Sequence, residues 1–339
     1  MIMMTRRTGD KGKVLSLYPL LPVFITWLIF PLLLSHQPQH PTVTLALLGD
    51  VMLGRGIAQA HTDDDWVTAF EDVAPWLQAA DLALANLESP LAPDPSPKGR
   101  GETGGSTSSY NLCTSASALQ ALVTSGLDLL SIANNHTNDC GGEGSNDTRN
   151  ILYDLSITPI GPGITPVYRT VHGQLLAFFA LDDVGSQLDV GTTTREIALA
   201  RGKGALVVVS IHWGSEYHAG INSRQAYLAQ AFANAGASLV WGHHPHVLQR
   251  LEWLTGEGQP YPTLIAYSLG NALFDQVSIP DMQRSALLLV HLDPRGVQLV
   301  QVIPLQIKPF EGRVTLAGTD AAEKIFSRLG PVASPLPEE

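Results

Sequence analysis

At 339 residues, 45% hydrophobic and 15% charged, the chain can build a large core and falls outside the disordered classes. Its 31 acidic against 20 basic residues give a formal net charge of −11, which argues against a nucleic-acid partner, since phosphate backbones are gripped by clustered Lys and Arg. Cys113 and Cys140 are too few for a disulfide framework and make no C-x-x-C pair, so a single bridge outside the cytoplasm stays open to them.

Residues 1–13 carry Arg6, Arg7, Lys11 and Lys13 ahead of an apolar run over 14–35. About 20 apolar residues suffice to cross a bilayer, and a basic flank stays on the cytoplasmic side. The reading is an uncleaved single-pass anchor in the cell membrane, with the main domain extracytoplasmic. A cleaved signal peptide competes, but Ser35-His36-Gln37-Pro38 offers no A-x-A site. Residues 36–42 form a tether.

A domain is then predicted over 43–315, followed by a tail over 316–339. Strands are predicted over 44–48 and 82–85, with a helix over 66–80 between them. Pro, Gly, Ser and Thr dominate 93–109, which reads as a flexible insertion. A helix over 115–125, a strand over 127–133 and a helix over 148–155 follow. The same alternation continues with strands over 175–181, 205–211 and 238–241 and helices over 194–201 and 223–235. Beyond that, strands over 263–267, 285–291 and 297–303 are joined by turns. Alternating strands and helices followed by a meander give a layered α/β (α+β) fold.

Five apolar strands each end in a polar cluster: Asp50, Glu88, Asn134-Asn135-His136, His212 and His243 to His246. Ligands of open α/β sheets bind at the carboxyl ends of strands, so these chain-distant groups can converge. Carboxylate, amide and imidazole together suit divalent Mn, Zn or Fe, and no thiolate is present for a structural zinc site. Taken singly, Asp50 could be a turn residue, Glu88 a surface acid and His212 a core histidine. Asp139 is placed to orient His136 or to cap the following helix. His244 and His246, two apart on an extended backbone, would point to one side. His243 then faces the other way, with structural and substrate-contact roles both open.

With these residues placed, the chain resembles the CapA family of bacterial capsule and poly-γ-glutamate synthesis proteins over about residues 43–310. The matching pieces, in order, are Gly49-Asp50-Val51-Met52-Leu53-Gly54-Arg55-Gly56, Ala85-Asn86-Leu87-Glu88, Ala133-Asn134-Asn135-His136 with Asp139 and Gly141, His212-Trp213-Gly214-Ser215-Glu216-Tyr217, Gly242 to Gln249, and Tyr267 to Asn271 with Phe274-Asp275. That family is similar in turn to calcineurin-like metallophosphoesterases. The resemblance implies a metallophosphatase-like β-sandwich flanked by helices, holding one or two divalent ions.

It further implies Asp50, Glu88, Asn135, His212, His244 and His246 as metal ligands, with Glu88 as a bridge. His136, with Asp139, would be the catalytic acid. Arg55, Asn134, Glu216, His243, Asn271 and Asp275 would contact substrate. The implied activity is metal-dependent hydrolysis of a phosphoester-like group. The rival is a non-catalytic membrane accessory that binds the anionic polymer beside components of the poly-γ-glutamate synthase complex. Two departures stand out. Met52 occupies the place where such phosphoesterases usually carry a first-strand His, and Ala272 follows Asn271 where Phe is common.

Overall fold

The computed structural model describes residues 41–61, 65–93, 111–115, 118–141 and 144–331. The expected anchor over 14–35, its basic flank and most of the 93–109 insertion lie outside the described residues. No described helix is long and apolar enough to cross a membrane.

The first half runs β1 (Val43–Val51), α1 (Arg55–Ala60), α2 (Ala74–Ala79), β2 (Leu82–Leu87), β3 (Leu91–Ala92), β4 (Thr114–Ser115), α3 (Leu119–Ser125), β5 (Leu129–Ser131), α4 (Gly144–Asp154) and β6 (Thr158–Ile160). The second runs β7 (Gly163–Val171), β8 (Gln174–Asp182), α5 (Val190–Gly202), β9 (Leu206–His212), α6 (Ser223–Asn234), β10 (Leu239–His243), β11 (Leu251–Leu254), β12 (Thr263–Ala266), β13 (Asn271–Leu273), β14 (Arg284–Asp293), β15 (Gly296–Lys308), β16 (Arg313–Leu316) and α7 (Thr319–Leu329).

One sheet has the order β16-β15-β14-β1-β2-β5-β6, with β13 also paired to β1, and a second has the order β11-β12-β10-β9-β8-β7. Strand alternation sorts the side chains into layers. From β1, Leu45 and Leu47 face the core between the sheets, while Ala46 and Leu48 face the one beneath α2 and α3. Leu206 and Val208 of β9 meet that same inter-sheet core, and Val207, Val209 and Ile211 pack under α5 and α6. The result is a sandwich of two sheets with helices on both outer faces, as expected.

Three expectations change. The helix over 66–80 is broken into a 3-10 turn at Trp66–Ala69 and α2. Pro75 explains the break, because a ring without an N–H is tolerated only in a helix's first turn. The strand at 263–267 is not the start of a meander: β12 lies in the second sheet, parallel to β10 and antiparallel to β11, and the consecutive antiparallel run is β14, β15 and β16 of the first sheet. Finally, the tail from 316 contains α7, whose Ile325 and Leu329, four apart, are buried against Leu248 and Ala286. Cys113 and Cys140 are joined in a disulfide.

Candidate metal centre

The inter-sheet core turns polar at one end, where the parallel strands finish. Along the inner face of β2, Leu82 and Leu84 are followed by Asn86 and then Glu88. On β9 Leu206 and Val208 give way to Ser210 and His212, and on β10 Leu239 and Trp241 give way to His243. Asp50 breaks the alternation of β1, and a slip in pairing between Leu47 and Asp50 turns it inward. Gly49 makes the slip feasible, because a Cβ there would sit 1.9 Å from the Gly270 carbonyl oxygen.

Glu88 lies at the centre, fully buried, and neither carboxylate oxygen has a hydrogen-bond partner. Three imidazole nitrogens face its Oε1: Nε2 of His212 at 3.7 Å, of His246 at 3.7 Å and of His136 at 3.8 Å. His244 Nδ1 lies 3.1 Å from His212 Nε2. Donor atoms of Glu88, His244 and His246 all fall within 4.8 Å of one another. A buried carboxylate with bare oxygens is costly unless a cation sits against it. The donor set therefore fits a divalent ion, held by Glu88, His244 and His246, with His212 and Asp50 adjoining.

The electrostatics agree. Burial, then the charges of Asp50 and Glu216, push Glu88 well above the usual carboxylate range. Burial, followed by neighbouring imidazoles, lowers His212 well below its ordinary value and His244 to about 4. His246 is lowered by burial as well. These rings are neutral at pH 7, with lone pairs available. For Asp50, burial alone would raise the pKa, but the hydrogen-bonding contact with His243, whose Nδ1 lies 3.1 Å from Oδ1, leads the effects that outweigh it and bring the group below the usual carboxylate range.

Hydrogen bonds fix which nitrogen each ring presents. Asn271 Nδ2 donates to the Met282 carbonyl, so its Oδ1 is the acceptor for His246 Nδ1 at 2.9 Å. That leaves His246 Nε2 as a lone pair turned to Glu88. His136 Nδ1 meets Asp139 Oδ2 at 2.8 Å, which likewise turns Nε2 to Glu88. Replacing Asn271 by Leu is expected to weaken Mn²⁺ binding about 10- to 100-fold, read by calorimetry. Unchanged affinity would remove the orienting role.

The match to the family described as bacterial capsule synthesis protein PGA_cap covers residues 44–276, well over half of the chain. The chain belongs to this capsule synthesis family. It is 28% identical over 323 residues to a capsule biosynthesis protein CapA of Bacillus anthracis, spanning 87% of this chain and 75% of that protein. A PGA biosynthesis protein CapA of Bacillus subtilis (strain 168) is 29% identical over 285 residues, 78% of this chain and 72% of the other. Among solved structures, one described as a novel phosphatase from Mycoplasma pneumoniae superposes with a TM-score of 0.52 at 13% identity, covering 79% of this chain and 94% of that one. At that identity the likeness shows the shared fold alone.

Within the capsule synthesis family motifs, the two adjacent amides differ in burial. Asn135, expected as a ligand, is exposed, and its backbone lies against the turn at Gly185. Asn134, expected to contact substrate, is the buried one and donates to Asn86 Oδ1 and the Leu87 carbonyl. The chain leaves β5 in a tight turn closed by Thr137 on the Asn134 carbonyl, so strand alternation no longer applies.

His243 is fully buried, edge-on to Trp241, with Nδ1 3.1 Å from Asp50 Oδ1. It thus meets Asp50 from within the core. Nor is the His244-Pro245-His246 backbone extended: His244 and His246 have φ of 93° and 56°, and these left-handed turns bring both rings to the cluster. Arg55 and Asp275 pair with each other at the cluster's edge, with Arg55 over the Phe274 ring. Glu216 is exposed, yet its charge reaches Glu88, His244 and His246. Trp213 is buried packing, its indole N–H donating to the Tyr267 carbonyl, while Tyr217 stacks over His246. Asn86, which the sequence reading left without a role, donates to Asp50 Oδ1 at 2.9 Å. Its place two residues before Glu88 on one strand face was the available signal.

Proposed function

We propose that this protein is a membrane-anchored, extracytoplasmic, metal-dependent hydrolase of phosphoester-like groups, acting in capsule or poly-γ-glutamate biosynthesis. The observation that carries the reading is the bare, buried Glu88 carboxylate faced by three imidazole nitrogens. A bound Mn, Zn or Fe ion would polarise the scissile group and make a nearby water acidic. The chain's own part is proton delivery: Asp139 holds Nδ1 of His136, so that Nε2 is the atom able to pass a proton to a leaving oxygen. Arg55, anchored on Asp275 at the cluster's edge, supplies a cation to an anionic substrate in an otherwise acidic chain. The disulfide accords with an extracytoplasmic domain, as does the basic flank ahead of the apolar run over 14–35.

A second reading, a non-catalytic accessory gripping the anionic polymer beside the synthase components, is favoured by Met52. Its side chain is fully buried and its sulfur accepts the Gly54 N–H at 3.1 Å, so the first-strand ligand of phosphoesterases is replaced by packing. The purified full chain separates the two. Elemental analysis is expected to find metal, and turnover of an aryl phosphodiester with Mn²⁺ should fall about 100- to 10,000-fold in His136→Ala. Bound metal with no turnover would hand the case to the accessory.

A further inference from the structure

Two residues beyond His246, Leu248 lines a cavity of about 300 Å³ between α7 and the turn at Pro280–Gln283. We propose that this cavity binds a small organic acid bearing two carboxylates, at a site separate from the histidine cluster. The helix supplies one wall. Glu323, Lys324, Ser327 and Arg328 sit one, four and five residues apart, so they share a face, opposite the buried Ile325 and Leu329. Asp281 and Arg284 form the facing wall.

Both guanidiniums are already held in place. Arg284 pairs with one oxygen of Asp281, and Arg328 Nη2 donates to the other at 2.8 Å. Each guanidinium has five N–H donors, so most stay available after that shared contact. Lys324 makes no ion pair among the described residues. The lining thus sets three cations against two acids within a chain of net charge −11. An anion disfavoured by the chain's net charge finds its complement here.

Carboxylate fits better than phosphate. A planar guanidinium can bind a carboxylate in a two-point fork, and Asp281 already bridges the two arginines, one oxygen to each. Glu323 would repel a compact dianion, whereas two separated carboxylates can settle on the arginines and on Lys324. Leu248 offers apolar contact to a carbon skeleton, which inorganic phosphate lacks. The volume sits at the small end of ligand pockets, about 300–1,000 Å³, which limits the ligand to a short chain.

The test is calorimetry on the full chain with succinate, succinamide and inorganic phosphate as probes. Succinate is expected to bind saturably at one per chain, and its uncharged diamide not at all. Lys324→Gln, at an exposed position that spares folding, and Arg328→Gln should each weaken succinate at least about tenfold. His212→Ala, in the cluster, should leave succinate affinity unchanged. The site is overturned if succinate does not saturate, if both lining variants bind it as tightly as the parent, or if His212→Ala loses it. Phosphate binding tighter than succinate would overturn the ligand class.

Discussion

Replacing Glu88 by Gln is expected to abolish metal binding while making the metal-free protein more stable at neutral pH. The two effects have one cause. Glu88 is fully buried with both oxygens bare, and burial, Asp50 and Glu216 raise its pKa well above the ordinary value. A carboxyl whose folded pKa is raised binds a proton in the folded state that the unfolded chain has already lost. Its contribution therefore falls as pH rises above the unfolded value, about 4.3. Gln carries no charge to ionise, so the gain, about 1–3 kcal/mol as for relieving one unsatisfied buried group, should appear at pH 7 and vanish near pH 4.

The histidines act with the opposite sign: His212, His244 and His246 are lowered by burial, so they cost stability as pH falls below about 6.5. Glu88→Gln leaves that acid-side loss in place. Thermal melts of the metal-free pair across pH 4 to 8, with Mn²⁺ titrations alongside, check all three statements. A variant that still binds Mn²⁺ like the parent would remove Glu88 from the centre of the site.

The sequence made the site more legible than its local geometry. Glu88, His212 and the His244/His246 pair were visible as polar ends to apolar strands, and the strands do bring them together. What stayed hidden depends on turns rather than periods. Nothing in Asn134-Asn135 says which amide is buried, because the tight turn after β5 ends the alternation that would decide it. The convergence of His244 and His246 rests on two left-handed backbone positions with no glycine to announce them. Asp50 points inward only because a pairing slip reverses its face. The fold shows the same division. Strands with long apolar runs were readable, whereas α7 reads as part of a polar tail although Ile325 and Leu329 stand four apart on one helix face. Gly242 marks a closeness no period reveals, since a Cβ there would lie 2.2 Å from the Tyr267 carbonyl oxygen.

Removing the Cys113–Cys140 bridge is expected to lower the unfolding free energy and to impair proton delivery far more than metal binding. The bridge spans a sequence separation of 27, for which the loss of chain entropy in the unfolded state amounts to about 3–4 kcal/mol. Urea unfolding of a Cys113→Ser, Cys140→Ser double variant reads that term directly. The functional consequence follows from what the bridge pins. Cys140 adjoins Asp139, whose Oδ2 accepts both His136 Nδ1 at 2.8 Å and the Leu112 N–H at 2.8 Å, and Asn111 donates to the Asp139 carbonyl at 2.9 Å. The segment at 111–113 is therefore the platform against which Asp139 sets the His136 ring, and the disulfide ties the two sides together. His212 ends β9, and Glu88, His244 and His246 lie just beyond β2 and β10, strands that the bridge does not join. The double variant should keep its Mn²⁺ affinity within about threefold of the parent, a shift under 1 kcal/mol, and lose turnover wherever the parent shows it. Equal losses of metal and turnover would mean that the bridge supports the whole centre, and an unchanged unfolding midpoint would mean that it supports neither.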